Sequence, residues 1–320
     1  MENKYGKIRG KKTLIIKSSI NDFEKYYSDK MKKLDVDVYD YLKPTINYEN
    51  THIKILFKII RRIDKYLPIY SLFFDKSWKQ IYTYDRIIVF DYFANPQILR
   101  RIKIKHKEVD LILWLWNTAP NNIEELKKYA TVFCFDHVSC EKWKLRYNTQ
   151  FYFSIPEKKY SVKVNDPIDI YFIGADKGRL KQLLSLSSEF ENMGLKYKFE
   201  ILSDSKESYN NSIVILKEPE SYQKIIDNIG NAKCILEIVK EGQDGITLRA
   251  LEALFFGKKL ITNDKKIVDY NFYDKNNIFI LNVDDTKHLF EFLKTPYKII
   301  DKEVKEQYTY ECWLNRMHSK

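Results

Sequence analysis

Short apolar runs and amphipathic stretches alternate along the whole chain. In the first half, TLII (13–16) is followed by the helical pattern NDFEKYYSDKMKKL (21–34) and then by DVDVYDY (35–41). RIIVFD (86–91), VDLILWLW (109–116) and TVFCFD (131–136) come next, and NNIEELKKYA (121–130) between the last two predicts a helix. The second half repeats the pattern. IDIYFIG (168–174) is a strand running into a glycine turn, and KGRLKQLLSLSSEFENM (177–193) is a helix. KYKFEIL (196–202), SIVIL (212–216), CILEIV (234–239) and KKLIT (258–262) are strands. These runs are short and almost continuously apolar, as strands are when both faces of a parallel sheet are covered. Strands alternating with helices predict doubly wound α/β units. Two such units in succession predict two Rossmann-like domains, and the polar stretch PEKKYSVKVNDP (156–167) reads as the linker.

At 320 residues the chain is long enough for two domains, and 44% hydrophobic residues are enough for two cores. No run of eighteen apolar residues is present, so no spanning helix is expected. The basic N-terminus has no apolar segment behind it and does not read as a secretory signal. Cys134, Cys140, Cys234 and Cys312 show neither metal-ligand nor redox spacing and read as reduced thiols of a cytoplasmic protein. The five histidines form no zinc-type arrangement. The net charge of +11 is unevenly placed. Residues 1–160 hold 31 Lys+Arg against 19 Asp+Glu, and residues 161–320 hold 24 against 25. The basic half is therefore expected to meet something anionic, a membrane surface or a nucleic acid. One stretch there, IKILFKIIRRIDKYL (53–67), has Ile53, Leu56, Ile60, Ile63 and Leu67 at helical spacing. Lys54, Lys58, Arg61, Arg62 and Lys65 occupy most of the rest. It reads either as a core-facing helix with a solvated basic face or as a helix resting on an anionic leaflet.

The most informative stretch is EGQDGITLRALEALFFGKKLIT (241–262). Gly242 and Gly245 permit a sharp turn and a close approach to the backbone. A helix beginning near Ile246 points its N–H groups and positive dipole end at the space beyond that turn, a natural anion site. Arg249, one turn in, has the planar fork that suits phosphate oxygens. Glu252 lies on the same side of the helix three residues later, where a carboxylate suits sugar or ribose hydroxyls. Phosphate plus vicinal hydroxyls is the chemistry of a nucleotide sugar. The other reading of the same residues is an ordinary strand–turn–helix unit in which Arg249 and Glu252 form an i,i+3 ion pair.

The stretch resembles the nucleotide-sugar site of GT-B glycosyltransferases, in particular those of bacterial capsule and lipopolysaccharide synthesis with a G-[LI]-T-[LM]-R-x-x-E pattern. Gly245, Thr247, Arg249 and Glu252 match that pattern. The resemblance implies a GT-B fold, with two Rossmann-like domains facing across a cleft: residues 1–158 on the acceptor side, 159–302 binding the nucleotide sugar, and 303–320 forming a helix that packs back on the first domain. It implies that Glu252 binds ribose and that Asp244 lies near the donor sugar. Asp244 stands where the family usually has glutamate, and Arg249 where it often has proline. DIYFIGADKGRL (169–180) resembles the first strand and turn of the same domain, with Gly174 approaching the diphosphate and Lys177 and Arg179 neutralising it. TVFCFDHVSCEKWKLRY (131–147) resembles the last unit of the first domain, and EQYTYECWLNRM (306–317) the returning C-terminal helix.

The expected activity is sugar transfer from a nucleoside-diphosphate donor, a UDP- or GDP-sugar, to a lipid-linked or other surface glycan. No resident cofactor is expected. The D-x-D at Asp35 and Asp37 alternates within a strand pattern, so no metal site is expected either. Arg249 and Lys177 would stabilise the departing diphosphate. An inverting enzyme also needs a base for the acceptor hydroxyl, with Asp22, Asp91, Asp136 and His137 as candidates at strand ends. A retaining enzyme needs none. The protein is expected in the cytoplasm, peripheral on the inner membrane face. Two rivals stand beside this reading. One is a basic nucleic-acid-binding protein stacking bases on its 24 tyrosines. The other is a non-catalytic nucleotide-sugar-binding partner subunit.

Overall fold

Strands this apolar on both faces are stable only with helices above and below, and they pair accordingly. The computed structural model describes residues 11–17, 22–34, 36–40, 50–63, 76–91, 96–154, 168–203 and 212–318. Twelve strands among these residues form two six-stranded, all-parallel sheets. The first comprises β1 (Thr13–Lys17), β2 (Val36–Asp40), β3 (Arg86–Phe90), β4 (Asp110–Leu115), β5 (Thr131–Cys134) and β6 (Arg146–Tyr147), in the order β2-β1-β3-β4-β5-β6. The second comprises β7 (Ile168–Ala175), β8 (Tyr197–Leu202), β9 (Ile213–Leu216), β10 (Ala232–Glu237), β11 (Lys259–Thr262) and β12 (Ile278–Ile280), in the order β12-β11-β10-β7-β8-β9.

The chain divides into two units, Met1–Thr149 with Leu314–Lys320, and Gln150–Trp313. The division falls nine residues before the 158/159 boundary that the resemblance implies, and Gln150–Phe153 is part of the second unit. There Tyr152 N–H donates to the Tyr308 carbonyl, and Tyr310 N–H donates back to the Tyr152 carbonyl, each at 2.8 Å. The predicted single helix over 306–317 is interrupted at this bridge. It becomes Lys302–Glu306 and Tyr310–His318, and Arg316 Nε donates to Asn148 Oδ1 at 2.6 Å within the first unit. The proposed linker lies outside the described residues.

In the first unit, Leu14, Ile16, Ile87, Val89, Leu111 and Leu113 form one buried layer with Ile98, Leu99 and Ile102 of the helix Pro96–Lys105. In the second, Ile170, Phe172, Phe199 and Ile201 pack with Leu183, Leu186 and Phe190 of the helix Leu180–Asn192. Each sheet reverses its strand order once, between β1 and β3 in the first and between β7 and β10 in the second. Ligands of open parallel sheets bind beyond the carboxyl ends of the strands at such a reversal.

The amphipathic stretch forms the helix Thr51–Ile63. Its expected apolar face divides: Ile60 is buried and Ile53 packs on the core, while Leu56 and Ile63 are exposed together with Ile55 and Ile59. The side chains of Lys54, Lys58, Arg61 and Arg62, and residues Lys65 and Leu67, lie outside the described residues. No helix among the described residues is long and apolar enough to cross a membrane.

Candidate functional site

The loops after β7 and β10 meet at the strand reversal of the second unit, and they carry Lys177, Arg179, Gly242, Asp244, Gly245 and Thr247. After β7 the chain turns through Lys177 and Gly178, both with positive φ (44° and 83°). Asp176 Oδ1 accepts the N–H of Leu180 at 2.9 Å and so starts the following helix. Arg179 spans the two loops. Its Nη2 donates to the Ala175 carbonyl at 2.5 Å, its Nε to the Asp176 carbonyl at 3.2 Å, and its Nη1 to the carbonyl of Ile238 just past β10. A Cβ on Gly174 would lie 3.2 Å from Arg179 Nη2. It would lie equally close to the Phe172 ring, so the space beside Gly174 is shared by the Arg179 guanidinium and that ring.

After β10 the turn closes with Gln243 N–H donating to the Lys240 carbonyl at 3.1 Å, and Gly242 takes the left-handed φ of 79° that favours glycine. The helix Leu248–Phe256 follows, with Thr247 as its N-cap. Thr247 Oγ1 accepts the N–H groups of Arg249 (3.1 Å) and Ala250 (3.4 Å). Two of the N–H groups expected to face an anion are thus already occupied, and the helix end contributes chiefly its dipole. The Thr247 hydroxyl itself donates to Glu237, the buried last residue of β10, whose other oxygen accepts from Thr262 Oγ1 at 2.6 Å. Burial pushes the Glu237 carboxyl up, against these two hydroxyls. Glu237 is the fastener that sets the helix start against the ends of β10 and β11. In the sequence it reads only as a polar residue in a strand.

Arg249 and Glu252 form the i,i+3 ion pair of the more ordinary reading, but not on the surface. The Glu252 side chain is 0% exposed and that of Arg249 20%. One Glu252 oxygen binds Arg249 Nη1, and the other accepts the Tyr222 hydroxyl at 2.7 Å. Burial works against the Arg249 charge, but Glu252 and then Tyr222, Tyr171 and Tyr152 more than offset it. Burial pushes the Glu252 carboxyl up, against the pull of Arg249 and the Tyr222 hydroxyl; because arginine keeps its proton and touches the carboxylate directly, we take the pair as ionic. In this arrangement Glu252 presents no free oxygen to a ribose. Asp244 is likewise engaged, by Lys266 Nζ at 2.5 Å.

The cations are the outward-facing element of the site. Lys177 and Lys240 are both exposed at the ends of their loops. The Lys177 ammonium is held below its ordinary value by partial burial and then by Arg179 and Lys240. Arg179 is shifted the same way, by burial first, with Arg249 adding to it against the pull of Asp176 and Glu237. Lys177 and Lys240 are thus the exposed cations of the two loops, while Arg179 is held by three backbone carbonyls and Arg249 by Glu252. Lys240 was not singled out in the sequence. Its loop position two residues before Gly242 was the available signal.

The four base candidates of the first unit have different surroundings. Asp136 is fully buried and caps the helix His137–Trp143, accepting Ser139 N–H at 2.7 Å. The His137 ring stacks on Tyr147 at 4.0 Å. Asp22 begins the helix Asp22–Tyr26. Asp91 follows β3 at the strand reversal, where its Oδ2 accepts Trp116 N–H at 2.9 Å. Burial pushes its carboxyl up to about 6, against the pull of Trp116 and Asn117.

No protein-family model matches the chain, and no curated protein sequence matches it. Solved structures do match. A sucrose-phosphate synthase from Thermosynechococcus elongatus superposes with a TM-score of 0.57 at 11% identity, covering 96% of this chain and 97% of that one. An α-glucosyltransferase solved with UDP and a 13-mer DNA containing an HMU base gives 0.50 at 10% identity, covering 97% and 93%. A lipopolysaccharide outer core galactosyltransferase gives 0.48 at 13% identity, covering 95% and 98%. With its two parallel six-stranded sheets and flanking helices, the chain has the GT-B fold of glycosyltransferases.

Proposed function

We propose that the protein is a glycosyltransferase that moves a sugar from a nucleoside-diphosphate donor to a surface glycan acceptor of the capsule, lipopolysaccharide or lipid-linked kind, without a metal ion. The observation that carries this is the placing of Lys177 and Lys240, exposed on the loops after β7 and β10, beside Arg179, whose Nη1 reaches from one loop to the Ile238 carbonyl of the other, at the strand reversal of a GT-B fold. Cations gathered on two adjoining loops repel one another, and a dianion relieves that repulsion. As the bond between the anomeric carbon and the phosphate oxygen breaks, negative charge grows on the departing diphosphate. Fixed cations beside a helix dipole stabilise that charge more than they stabilise the bound donor. Arg249 contributes its planar fork, with Glu252 acting through it as the group that aims it. On the acceptor side, Asp91 suits the base of an inverting reaction best among the four candidates, because its proton affinity lies near working pH.

The basic first half and the exposed Ile55, Leu56, Ile59 and Ile63 support a peripheral position on an anionic cytoplasmic leaflet. A nucleoside-diphosphate donor is tested by thermal unfolding with UDP, GDP, CDP, ADP and dTDP and with the matching nucleosides. A diphosphate at a hundredfold its Kd adds about 2.7 kcal/mol. Stabilisation by at least one diphosphate, well above its nucleoside, is expected. No stabilisation by any of them overturns the reading.

A further inference from the structure

A chain of buried hydroxyls runs from the place where the polypeptide enters the second unit to the ion pair of Glu252 and Arg249. Tyr152 Oη lies 2.7 Å from Tyr222 Oη, and Tyr222 Oη lies 2.7 Å from Glu252 Oε1. Glu252 then binds Arg249. Tyr152, Tyr222 and Glu252 are all buried, at 0%, 2% and 0% exposure. The direction of the chain is fixed by chemistry. An ionised carboxylate can only accept, so the Tyr222 hydroxyl donates to Glu252. Its oxygen is then left to accept, so Tyr152 donates to Tyr222. Each donation polarises the next, and the sequence ends at the carboxylate that holds Arg249. Packing alone does not require these hydroxyls. Phenylalanine would fill both positions, and Tyr152 already lies against the Phe255 ring at 5.3 Å.

The other end of the chain is equally defined. Tyr152 stands three residues after Thr149, where the chain passes from the first unit to the second, and it bridges to Thr309, four residues before the chain passes back after Trp313. The Tyr152 N–H and the Tyr310 N–H close that bridge. One residue therefore joins both passages of the chain by its backbone and the Arg249 site by its side chain.

We propose that Tyr222 and Tyr152 are positioning residues that set the Glu252 carboxylate, and through it aim Arg249 at the donor diphosphate. The inference rests on the glycosyltransferase reading above. Tyr222→Phe removes one oxygen and leaves Glu252 Oε1 buried without its donor, freeing the carboxylate to turn and Arg249 to move with it. A hydrogen bond to a charged group of this kind corresponds to about a tenfold to hundredfold change. Tyr152→Phe acts one bond further away and has a smaller effect.

The test measures the affinity of the full chain for inorganic pyrophosphate and for the diphosphates UDP and GDP, beside uridine and guanosine. Hydrogen exchange at the Tyr152 and Tyr310 amides is followed in the same samples. Tyr222→Phe is expected to weaken pyrophosphate and diphosphate binding at least tenfold and to leave nucleoside affinity unchanged. Tyr152→Phe is expected to weaken diphosphate binding severalfold. Pyrophosphate should slow exchange at both amides in the wild type and not in Tyr222→Phe. Should Tyr222→Phe fail to fold, Tyr152→Phe carries the same comparison. Wild-type binding of pyrophosphate with equal affinity in both variants overturns the positioning role alone. A wild type that binds neither pyrophosphate nor any diphosphate overturns the phosphate site and this role with it.

Discussion

Replacing Glu252 separates a structural carboxylate from a ligand-binding one. In Glu252→Ala the Arg249 guanidinium, 20% exposed, loses the carboxylate it pairs with, and the Tyr222 hydroxyl loses Glu252 as its acceptor. Breaking a buried ion pair from one side costs about 3–5 kcal/mol, because a charge is left in a poorly solvated place. The orphaned hydroxyl adds about 1 kcal/mol or more. Against a typical total of about 5–15 kcal/mol this is a large fraction of the stability. Urea unfolding followed by fluorescence measures it, with an unchanged slope showing that the unfolding reaction itself is the same. The two units can unfold separately, so the transition that moves should be the one belonging to Gln150–Trp313. Replacing both partners with apolar residues, Arg249→Met with Glu252→Leu, should recover most of the loss, since well-packed apolar side chains commonly replace a buried pair without penalty. A loss below about 1 kcal/mol in Glu252→Ala would refute the reasoning. It would mean that the carboxylate is dispensable to the fold and available to a ribose after all.

Thr247→Ala removes the helix cap and one of the two hydroxyls on Glu237, and should cost about 1–2 kcal/mol in urea unfolding. Lys177→Ala with Lys240→Ala should weaken diphosphate binding while leaving nucleoside affinity unchanged, read by calorimetry, and the diphosphate affinity of the wild type should fall as salt rises. Asp91 has a raised proton affinity in the folded state. The stability it contributes is therefore complete below the ordinary aspartate value and is lost as pH rises through about 6. Asp91→Asn should remove that pH step from the unfolding curve and be more stable than the wild type at pH 8. On the account above it should also lose sugar transfer. Sedimentation at low salt should recover more protein with anionic vesicles than with neutral ones, and high salt should abolish the difference.

The strands were legible because a parallel sheet covered on both faces needs unbroken apolar runs. Ten of the runs quoted from the sequence begin or end within two residues of their strands, as RIIVFD does for β3 and KKLIT for β11. The strands missed, β6 with two exposed residues and β12 with three buried ones, are too short to carry a pattern. In the second unit, local glycine chemistry placed the turn at Gly242 and a helix start near Ile246, two residues before the helix Leu248–Phe256 begins, while the Thr247 cap was not read from the sequence. Partners brought together by the fold were not legible. Nothing adjacent to Glu252 announces Tyr222, thirty residues away, or that the pair with Arg249 is sealed. Nothing adjacent to Gly174 announces that the Arg179 guanidinium lies beside it. Cys134 and Cys140, six residues apart with no redox spacing, meet because the chain reverses after β5. There the Cys140 thiol donates to the Cys134 carbonyl at 3.5 Å and the Cys134 thiol to the Asn117 carbonyl at 3.7 Å.

The central claim is tested most directly by measuring nucleoside-diphosphate release from a panel of UDP- and GDP-sugars, with a detergent extract of bacterial lipid-linked glycans as acceptor. Wild type and Arg249→Lys are compared side by side. Lysine keeps the charge at that position but lacks the fork that Glu252 aims. Acceptor-dependent release by the wild type with at least one donor, falling by roughly a hundredfold or more in Arg249→Lys, is the predicted result. Release from no donor, or equal release by the two proteins, would contradict it.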